Sequence, residues 1–119
     1  DVEDSMITLS TYHDKIVGVF GLGKAGTATV AALVAGGAKV WVDDDSGAIA
    51  RAMSTAYPQV KAEHYLTWPW KEMACVVLAP GVPLTHPKPH PAVMQAQKAG
   101  VEIVCDIELF HRAYLKMNS

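Results

Sequence analysis

Residues 15–43 read KIVGVFGLGKAGTATVAALVAGGAKVWVD, and this stretch decides the fold. It opens on a nearly continuous apolar run, residues 16–20, which is typical of a strand buried on both faces. A helical pattern follows and is stopped by the glycine pair that begins at Gly36. Residues 38–42 form a second strand-like run, so the stretch predicts a βαβ unit of a parallel sheet. The apolar face of the helix is predicted to consist of Val30, Leu33 and Val34.

The turn between the first strand and the helix, residues 21–26, reads GLGKAG, a G-x-G-x-x-G motif. Gly21 permits a tight turn, Gly23 lets backbone approach a phosphate, and Gly26 lets the helix pack closely on the strand. Asp43 follows the second strand, 20 residues after Gly23, where an acid that binds a ribose is expected. The motif alone is weak evidence, but its strand–turn–helix–strand context and the acid favour a nucleotide site on a Rossmann-like sheet. A structural turn that binds nothing stays open as the alternative.

The rest of the chain supplies three more strands and three more helices. These elements predict an α/β, Rossmann-like fold with a five-stranded parallel sheet in the order 3-2-1-4-5 and right-handed crossovers. Residues 1–14 are predicted to be an extension and lead-in, and residues 15–119 to be the domain itself. The three predicted strands are an edge strand over 60–65, a central strand over 75–79 and a strand over 101–105. The first of the three predicted helices runs from a Ser46 cap to about Tyr57, and its apolar face consists of Ile49, Ala52, Met53 and Ala56. The second runs from Pro91 to Gly100, and the last begins at Asp106 and has Ile107, Phe110 and Tyr114 on one face.

Composition narrows the class of protein. The chain has 119 residues, of which 50% are apolar and 18% charged, with a formal net charge of −2. This length suits one domain with a core of its own, and the charge gives no basic face for nucleic acid. No apolar run approaches the roughly 20 residues of a membrane span, and no signal peptide is visible. Cys75 and Cys105 lie in apolar runs that predict buried, reduced thiols, so a cytoplasmic protein is expected.

Two other patterns have structural interpretations that outweigh functional ones. His86 and His90 are four residues apart, but the surrounding prolines forbid the helix that would align them, so no metal site is predicted. Trp68 and Trp70 are expected to cover a sheet edge rather than to form a stacking surface. The sequence has no G-x-x-x-x-G-K-[ST] loop and no nucleophile paired with a base, so no catalytic residue is predicted.

Several segments together carry a family resemblance. The segments are GLGKAG at 21–26, Asp43, Ala79-Pro80-Gly81-Val82 after the fourth strand, and GVEI at 100–103 leading to DIELF at 106–110. With these segments, the chain resembles the amino-terminal domain of UDP-N-acetylmuramoyl-L-alanine:D-glutamate ligases, cytoplasmic Mur ligases of peptidoglycan synthesis, over residues 15–112. The D-I-E-L-F segment is the most specific part, because generic Rossmann domains have no reason to carry it.

The resemblance implies a three-domain enzyme of which this chain is the first domain alone. In that family, the first domain holds the uridine diphosphate (UDP) end of the UDP-sugar substrate. The central domain supplies ATP, Mg²⁺ and the catalytic groups, and the third domain completes the closed site. ATP phosphorylates the substrate carboxylate, and the amine of D-glutamate attacks the acyl phosphate. This chain is therefore expected to hold no cofactor and to be inactive alone. Its expected partners are the missing central and C-terminal domains, and neither nucleic acid nor a membrane is expected as a partner.

The resemblance also implies a set of substrate-binding residues around the UDP. The glycine loop is expected to meet the diphosphate through backbone N–H groups at the positive end of the helix. Family members often carry a hydroxyl and a basic residue where this chain has Asp44 and Asp45. Two like charges about 4 Å apart repel by about 1 kcal/mol in water and by about 4 kcal/mol at an effective dielectric near 20, so a phosphate beside these acids is disfavoured. The acids are therefore expected to face ribose hydroxyls or a uracil N–H, with a solvated turn as the alternative. The residues are Gly23, Lys24, Ala25 and Gly26 at the diphosphate, Asp43, Asp44 and Asp45 at the uridine, and Ala79, Pro80 and Gly81 on the other side of the nucleotide.

Two other functions stay open from the sequence. One is an NAD-binding domain of an oxidoreductase or regulator, and the other is an interaction module that binds no nucleotide. The glycine motif and Asp43 do not separate NAD from UDP. The short second half of the sheet and the D-I-E-L-F segment favour the UDP-sugar.

Overall fold

The computed structural model describes residues 12–44, 47–78, 90–105, 108–109 and 111, and at residues 24 and 25 it describes the backbone alone. The strands are β1 (Ile16–Phe20), β2 (Lys39–Asp43), β3 (Val60–Ala62), β4 (Met73–Leu78) and β5 (Glu102–Cys105). The α-helices are α1 (Lys24–Ala35), α2 (Ala48–Ala56) and α3 (Pro91–Ala99), and 3-10 helices lie at Tyr65–Thr67 and Trp70–Glu72.

The five strands form one sheet in the order β3-β2-β1-β4-β5, and every neighbouring pair is parallel. This confirms the predicted α/β fold and strand order. Phe20, the last residue of β1, pairs with Asp43 of β2 on one side and Leu78 of β4 on the other. The carboxyl ends of the three central strands therefore meet at one edge, where open α/β sheets place their ligands.

Alternation along the strands divides the core between the two faces of the sheet. Val17 and Val19 of β1 point to the face covered by α1 and α2, and Phe20 points to the face covered by α3 and the 3-10 helices. Both faces are buried, as expected of a parallel sheet with helices on each side. The fully buried side chains of the first face include Val30, Leu33, Val40, Val42, Cys75 and Val77, and those of the second include Val76 and Val93.

The tryptophan pair covers a face of the sheet over its central strand. Trp68 and Trp70 are buried, and their indole N–H groups donate to backbone carbonyls at 2.8 Å. A Cβ built on Gly18 of β1 would lie 2.4 Å from Cζ3 of Trp68, so glycine at this position makes room for the ring. The prediction that these rings cover an edge of the sheet is wrong, because they pack on its face over the central strand.

The predicted apolar face of α2 is wrong at three of its four positions. Ala50 is the buried residue, with Met53 and Tyr57 packed partly against the same core. Ile49 is 38% exposed, and Ala52 and Ala56 are exposed as well. Alanines lie on both sides of this helix, so their positions do not mark which side is buried. The helix is capped by Gly47, and the predicted Ser46 cap lies outside the described residues.

The third strand is shorter than predicted. It ends at Ala62, and a 3-10 helix begins at Tyr65. The Tyr65 N–H donates to Oδ2 of Asp43 at 2.9 Å, which ties the start of this 3-10 helix to the end of β2. β3 does lie at the sheet edge, as predicted.

The two cysteines differ in exposure. Neither forms a disulfide bond, and Cys75 in β4 is fully buried, whereas Cys105 is exposed. The prediction of a buried thiol is therefore wrong for Cys105, because it ends a strand at the open edge of the sheet.

The carboxyl-terminal elements agree with the prediction where they are described. Pro91 is the first residue of α3, and the helix ends at Gly100, which has a φ of 75°. Of the last predicted helix, Leu109 is buried, and Ile107, Phe110 and Tyr114 lie outside the described residues. Within the part of the chain that is described, no helix is long and apolar enough to cross a membrane.

Candidate nucleotide site

The glycine turn, residues 21–26, is anchored on the end of β2. Gly21 has a φ of 88°, a conformation that L side chains rarely adopt. Its N–H donates to the backbone oxygen of Asp43 at 3.0 Å. The turn and the predicted ribose-binding acid are therefore held together by the backbone.

The third glycine of the motif makes a close contact possible. A Cβ built on Gly26 would lie 2.4 Å from the carbonyl oxygen of Gly21, a distance that real Cβ atoms do not show. Because the obstructing atom is backbone, it cannot move aside as a flexible side chain would. Gly26 therefore lets the first turn of α1 pack against the end of β1, the role predicted from the motif.

The second glycine faces open space at the start of the helix. Gly23 is the N-cap of α1, and a Cβ built on it would meet nothing within 4 Å. The N–H groups of Lys24, Ala25 and Gly26 belong to the first helical turn, where helix geometry provides no carbonyl partner. Backbone donors and the positive end of the helix dipole together suit an anion such as a phosphate. The structure thus brings the four predicted loop residues together at the carboxyl edge of the sheet.

Asp43 makes a structural hydrogen bond that sequence reasoning missed. It is the last residue of β2 and is partly buried, and its Oδ2 accepts the bond from the Tyr65 N–H. A carboxylate has two oxygens and about four acceptor positions, so this bond leaves acceptor capacity for a ligand. Asp43 therefore positions the loop after β3 and also lies beside the glycine turn.

Asp44 holds the turn that enters α2. Its Oδ1 accepts a hydrogen bond from the Gly47 N–H at 2.8 Å, one residue before the helix. An acceptor at this place satisfies one of the free donors of a helix start. The side chain is thus more than a solvated acid. The predicted site residues Asp45, Ala79, Pro80 and Gly81 lie outside the described residues and stay predictions.

A cleft beside Asp43 extends the site past the end of β2. It has a volume of about 210 Å³ and lies between α2 and the carboxyl ends of β2 and β3. We call it the Asp43–Arg51 cleft. Sequence reasoning named only one of its residues, although an arginine in the first turn after an acidic strand end was a signal for it. Its lining residues are Asp43, Gly47, Ala50, Arg51, Ala62, Glu63 and His64.

Three aromatic rings, those of Phe20, Tyr65 and His90, pack together at the carboxyl end of β1. The ring of Phe20 lies 4.6 Å from that of His90 and 5.6 Å from that of Tyr65. Nδ1 of His90 accepts a hydrogen bond from the Ala92 N–H at 3.0 Å and so caps α3. The ring therefore has a structural role at the start of this helix, which was not predicted, and His86 lies outside the described residues. In the described ranges, no group of three or more His, Cys, Asp or Glu residues is placed to hold a metal ion.

Comparison with known proteins identifies the family and the fold. Residues 15–105 match the family described as Mur ligase MurD-like, N-terminal domain. The chain is 48% identical over 109 residues to the UDP-N-acetylmuramoylalanine--D-glutamate ligase of Rhizobium johnstonii and 47% identical over 109 residues to that of Brucella abortus, covering 90% of this chain and 22% of each relative. It therefore spans less than a quarter of the length of these relatives.

A solved structure shares the fold. The crystal structure of shikimate dehydrogenase from Aquifex aeolicus superposes with a TM-score of 0.63 at 18% identity, covering 83% of this chain and 45% of the dehydrogenase. At an identity this low, the superposition shows the Rossmann-like fold alone. The sequence match, which includes the glycine turn and Asp43, is what assigns the family: the chain belongs to the MurD-like N-terminal domain family of Mur ligases.

Proposed function

We propose that this chain binds the UDP end of UDP-N-acetylmuramoyl-L-alanine, as the N-terminal domain of a ligase that adds D-glutamate. The observation that carries the proposal is the glycine turn, in which Gly26 touches the Gly21 carbonyl while Gly23 opens the helix start to an approaching ligand. The relatives' name supplies the substrate and the amine, because they are UDP-N-acetylmuramoylalanine--D-glutamate ligases.

The diphosphate would lie at the N-terminus of α1. There the N–H groups of Lys24, Ala25 and Gly26 donate to phosphate oxygens, and glycine at 23 leaves room for close approach. Asp43 faces the ribose hydroxyls or the uracil N–H rather than a phosphate, because two negative groups repel. Asp44 and Asp45 border the uridine, and Ala79, Pro80 and Gly81 line its other side.

The five-stranded sheet favours UDP over NAD. A full dinucleotide fold has two βαβαβ halves, one for each nucleoside. On the side opposite β2 and β3, the described sheet offers only β4 and β5. A second nucleoside would therefore find less support than the single nucleoside of UDP.

The amide-forming reaction belongs to the whole protein in this proposal. The chain spans 22% of its relatives, and the resemblance assigns ATP and Mg²⁺ to the central domain. None of the residues described here is given a catalytic role. The isolated chain should therefore be inactive, and we place it in the cytoplasm with the enzymes of peptidoglycan synthesis.

Ligand ranking tests the proposal. UDP should perturb the NMR amide signals of residues 23–26, Asp43 and Gly81 in the isotope-labelled chain, and NAD should do so much less. NADP should bind worst, because Asp43 repels its 2′-phosphate. Affinity for UDP is expected to be weak, since binding must order a site that two further domains normally enclose. A titration in which NAD outcompetes UDP at the same amides would favour the oxidoreductase alternative.

A second test concerns the inactive fragment. The purified chain, given ATP, Mg²⁺, D-glutamate and the UDP-muramoyl substrate, should release no phosphate above a blank. Turnover that persists after mass spectrometry has established the length of the chain would overturn the assignment of catalysis to the missing domains.

A further inference from the structure

Arg51 brings a positive charge to the cleft next to the predicted nucleotide site. It lies in the first turn of α2, where its backbone N–H donates to the Gly47 oxygen at 3.1 Å. A Cβ built on Gly47 would lie 3.2 Å from Nη1 of Arg51, so the guanidinium folds back over the start of the helix. The side chain is thereby directed into the Asp43–Arg51 cleft instead of along the helix surface.

The electrostatics of the helix do not explain this placement. The N-terminus of a helix carries partial positive charge, which favours acids and disfavours an arginine. Within the described ranges, no carboxylate lies within the 4.0 Å of an ion pair to Arg51. Among the residues that the structure describes, the donors of the guanidinium are therefore left for a ligand in the cleft.

The cleft suits one small heterocyclic ring. The side chains of Ala50 and Ala62 give it apolar lining, against which a flat ring can lie. Its volume of about 210 Å³ equals that of roughly seven water molecules at about 30 Å³ each. This volume admits a single heterocyclic base, so the choice among bases falls to the polar groups that line the cleft.

Along the sheet edge, the glycine turn, which is proposed to hold the diphosphate, is followed by Asp43 and Arg51 at the place proposed for the uridine. The Gly21 N–H is bonded to the Asp43 backbone, and Asp43 lines the same cleft as Arg51. A diphosphate held at the turn thus leaves the base to reach the cleft.

We infer that Arg51 is a specificity-determining residue, which donates from its guanidinium to the O4 carbonyl oxygen of the uracil ring. The inference rests on the proposed function. A guanidinium has only donors and a carboxylate only acceptors. Uracil has carbonyl oxygens on both sides of an N–H, which complements Arg51 and Asp43. Cytosine has an amine in place of one carbonyl and an acceptor in place of that N–H, so its edge presents donors to Arg51 and an acceptor to Asp43.

The test compares UDP with CDP on the 119-residue chain. The wild type should bind UDP more tightly than CDP, measured from the amide shifts of Gly23 and Asp43. Arg51→Ala should weaken UDP by about tenfold, the loss of one charge-assisted hydrogen bond, and leave CDP within about twofold, so that the preference collapses. Arg51→Lys, which keeps the charge but not the planar fork, should lose most of the preference as well.

Lys61→Ala is the matched control. Lys61 is an exposed cation on β3, with its ammonium 5.8 Å from the centre of the Trp41 ring, and it does not line the cleft. Its removal changes the net charge by the same amount and should leave the ratio of UDP to CDP affinity unchanged. Unfolding midpoints of both variants establish that the fold is retained.

Two results would overturn the inference while the proposed function stands. Arg51→Ala could leave UDP binding unchanged, or it could weaken UDP and CDP equally, as a general electrostatic effect would. A wild-type chain that gives no UDP response at the glycine turn would instead overturn the proposed function, and this inference with it.

Discussion

The glycine turn and the Asp43–Arg51 cleft lie side by side at one edge of the sheet, but they are built in different ways. The turn is made of backbone, with three glycines inside six consecutive residues of the chain. The cleft is made of side chains from β2, α2 and the end of β3, which only the fold brings together. A site made of local backbone can be found in a sequence motif, whereas one made of distant side chains depends on strand order and helix phase.

The difference also separates two recognition tasks. Backbone N–H groups at a helix start bind any phosphate of suitable shape and cannot distinguish bases. Side chains with fixed donors and acceptors can distinguish them. In this molecule, we assign affinity for the diphosphate to the turn and the choice of base to the cleft.

The largest effect is expected from Gly26→Ala. The new Cβ would lie 2.4 Å from the Gly21 oxygen, and neither backbone segment can move without disturbing β1 or α1. The free energy of unfolding should fall by about 3 kcal/mol, the upper end for atoms forced into a packed contact, and UDP binding should be lost. Urea denaturation checks the first result, and amide titration checks the second.

Gly23→Ser is the matched control for Gly26→Ala. Serine is a good N-cap, and a Cβ at this position meets no atom within 4 Å, so stability should change by less than about 0.5 kcal/mol. UDP binding should still weaken, because the side chain occupies the space above the helix start. Equal losses of stability in the two variants would contradict the packing role of Gly26.

Asp43→Ala should produce the next largest effect. It removes the acceptor of the Tyr65 N–H and should lower the free energy of unfolding by about 1.5 kcal/mol. Asp43→Asn keeps an oxygen acceptor and should retain most of that stability, but it should weaken UDP binding through loss of the charge. Chemical denaturation and UDP titration of both variants measure the two contributions, and identical behaviour of Ala and Asn would exclude the structural bond to Tyr65.

Asp44→Ala should lower the free energy of unfolding less than Gly26→Ala and Asp43→Ala do. It removes the carboxylate that accepts from the Gly47 N–H, a loss comparable to that of a helix cap, about 1 kcal/mol. Asp44→Asn keeps an acceptor and serves as the control. Hydrogen exchange of the first amides of α2 should speed up in the alanine variant only. Unchanged exchange would mean that Asp44 does not hold the start of that helix.

The fold could be predicted from the sequence because its signals are local. Alternation of apolar runs with helical patterns predicted the strand order, and the position of Pro91 and Gly100 predicted both ends of α3. The buried side of α2 could not be predicted, since its alanines give no contrast between faces. The exposure of Cys105 was missed because an apolar run does not reveal whether its strand lies at the edge of the sheet.

The candidate site could be predicted in part for the same reason. The glycine turn and Asp43 follow from a motif of fixed spacing. The hydrogen bond from Tyr65 to Asp43 spans 22 residues, and Arg51 joins the cleft only through the phase of α2. No local pattern encodes the contact of Tyr65, and the arginine after the acidic strand end is a local signal whose position in the cleft depends on the fold.

One NMR measurement tests most directly whether the two regions hold the two halves of one ligand. The labelled chain is titrated separately with pyrophosphate, with uridine and with UDP. Pyrophosphate should shift the amides of Gly23 and Gly26, uridine should shift those of Asp43, Gly47 and Arg51, and UDP should shift both sets at lower concentration than either part. A UDP titration that leaves both sets unmoved, or a pyrophosphate response confined to other parts of the chain, would contradict this account.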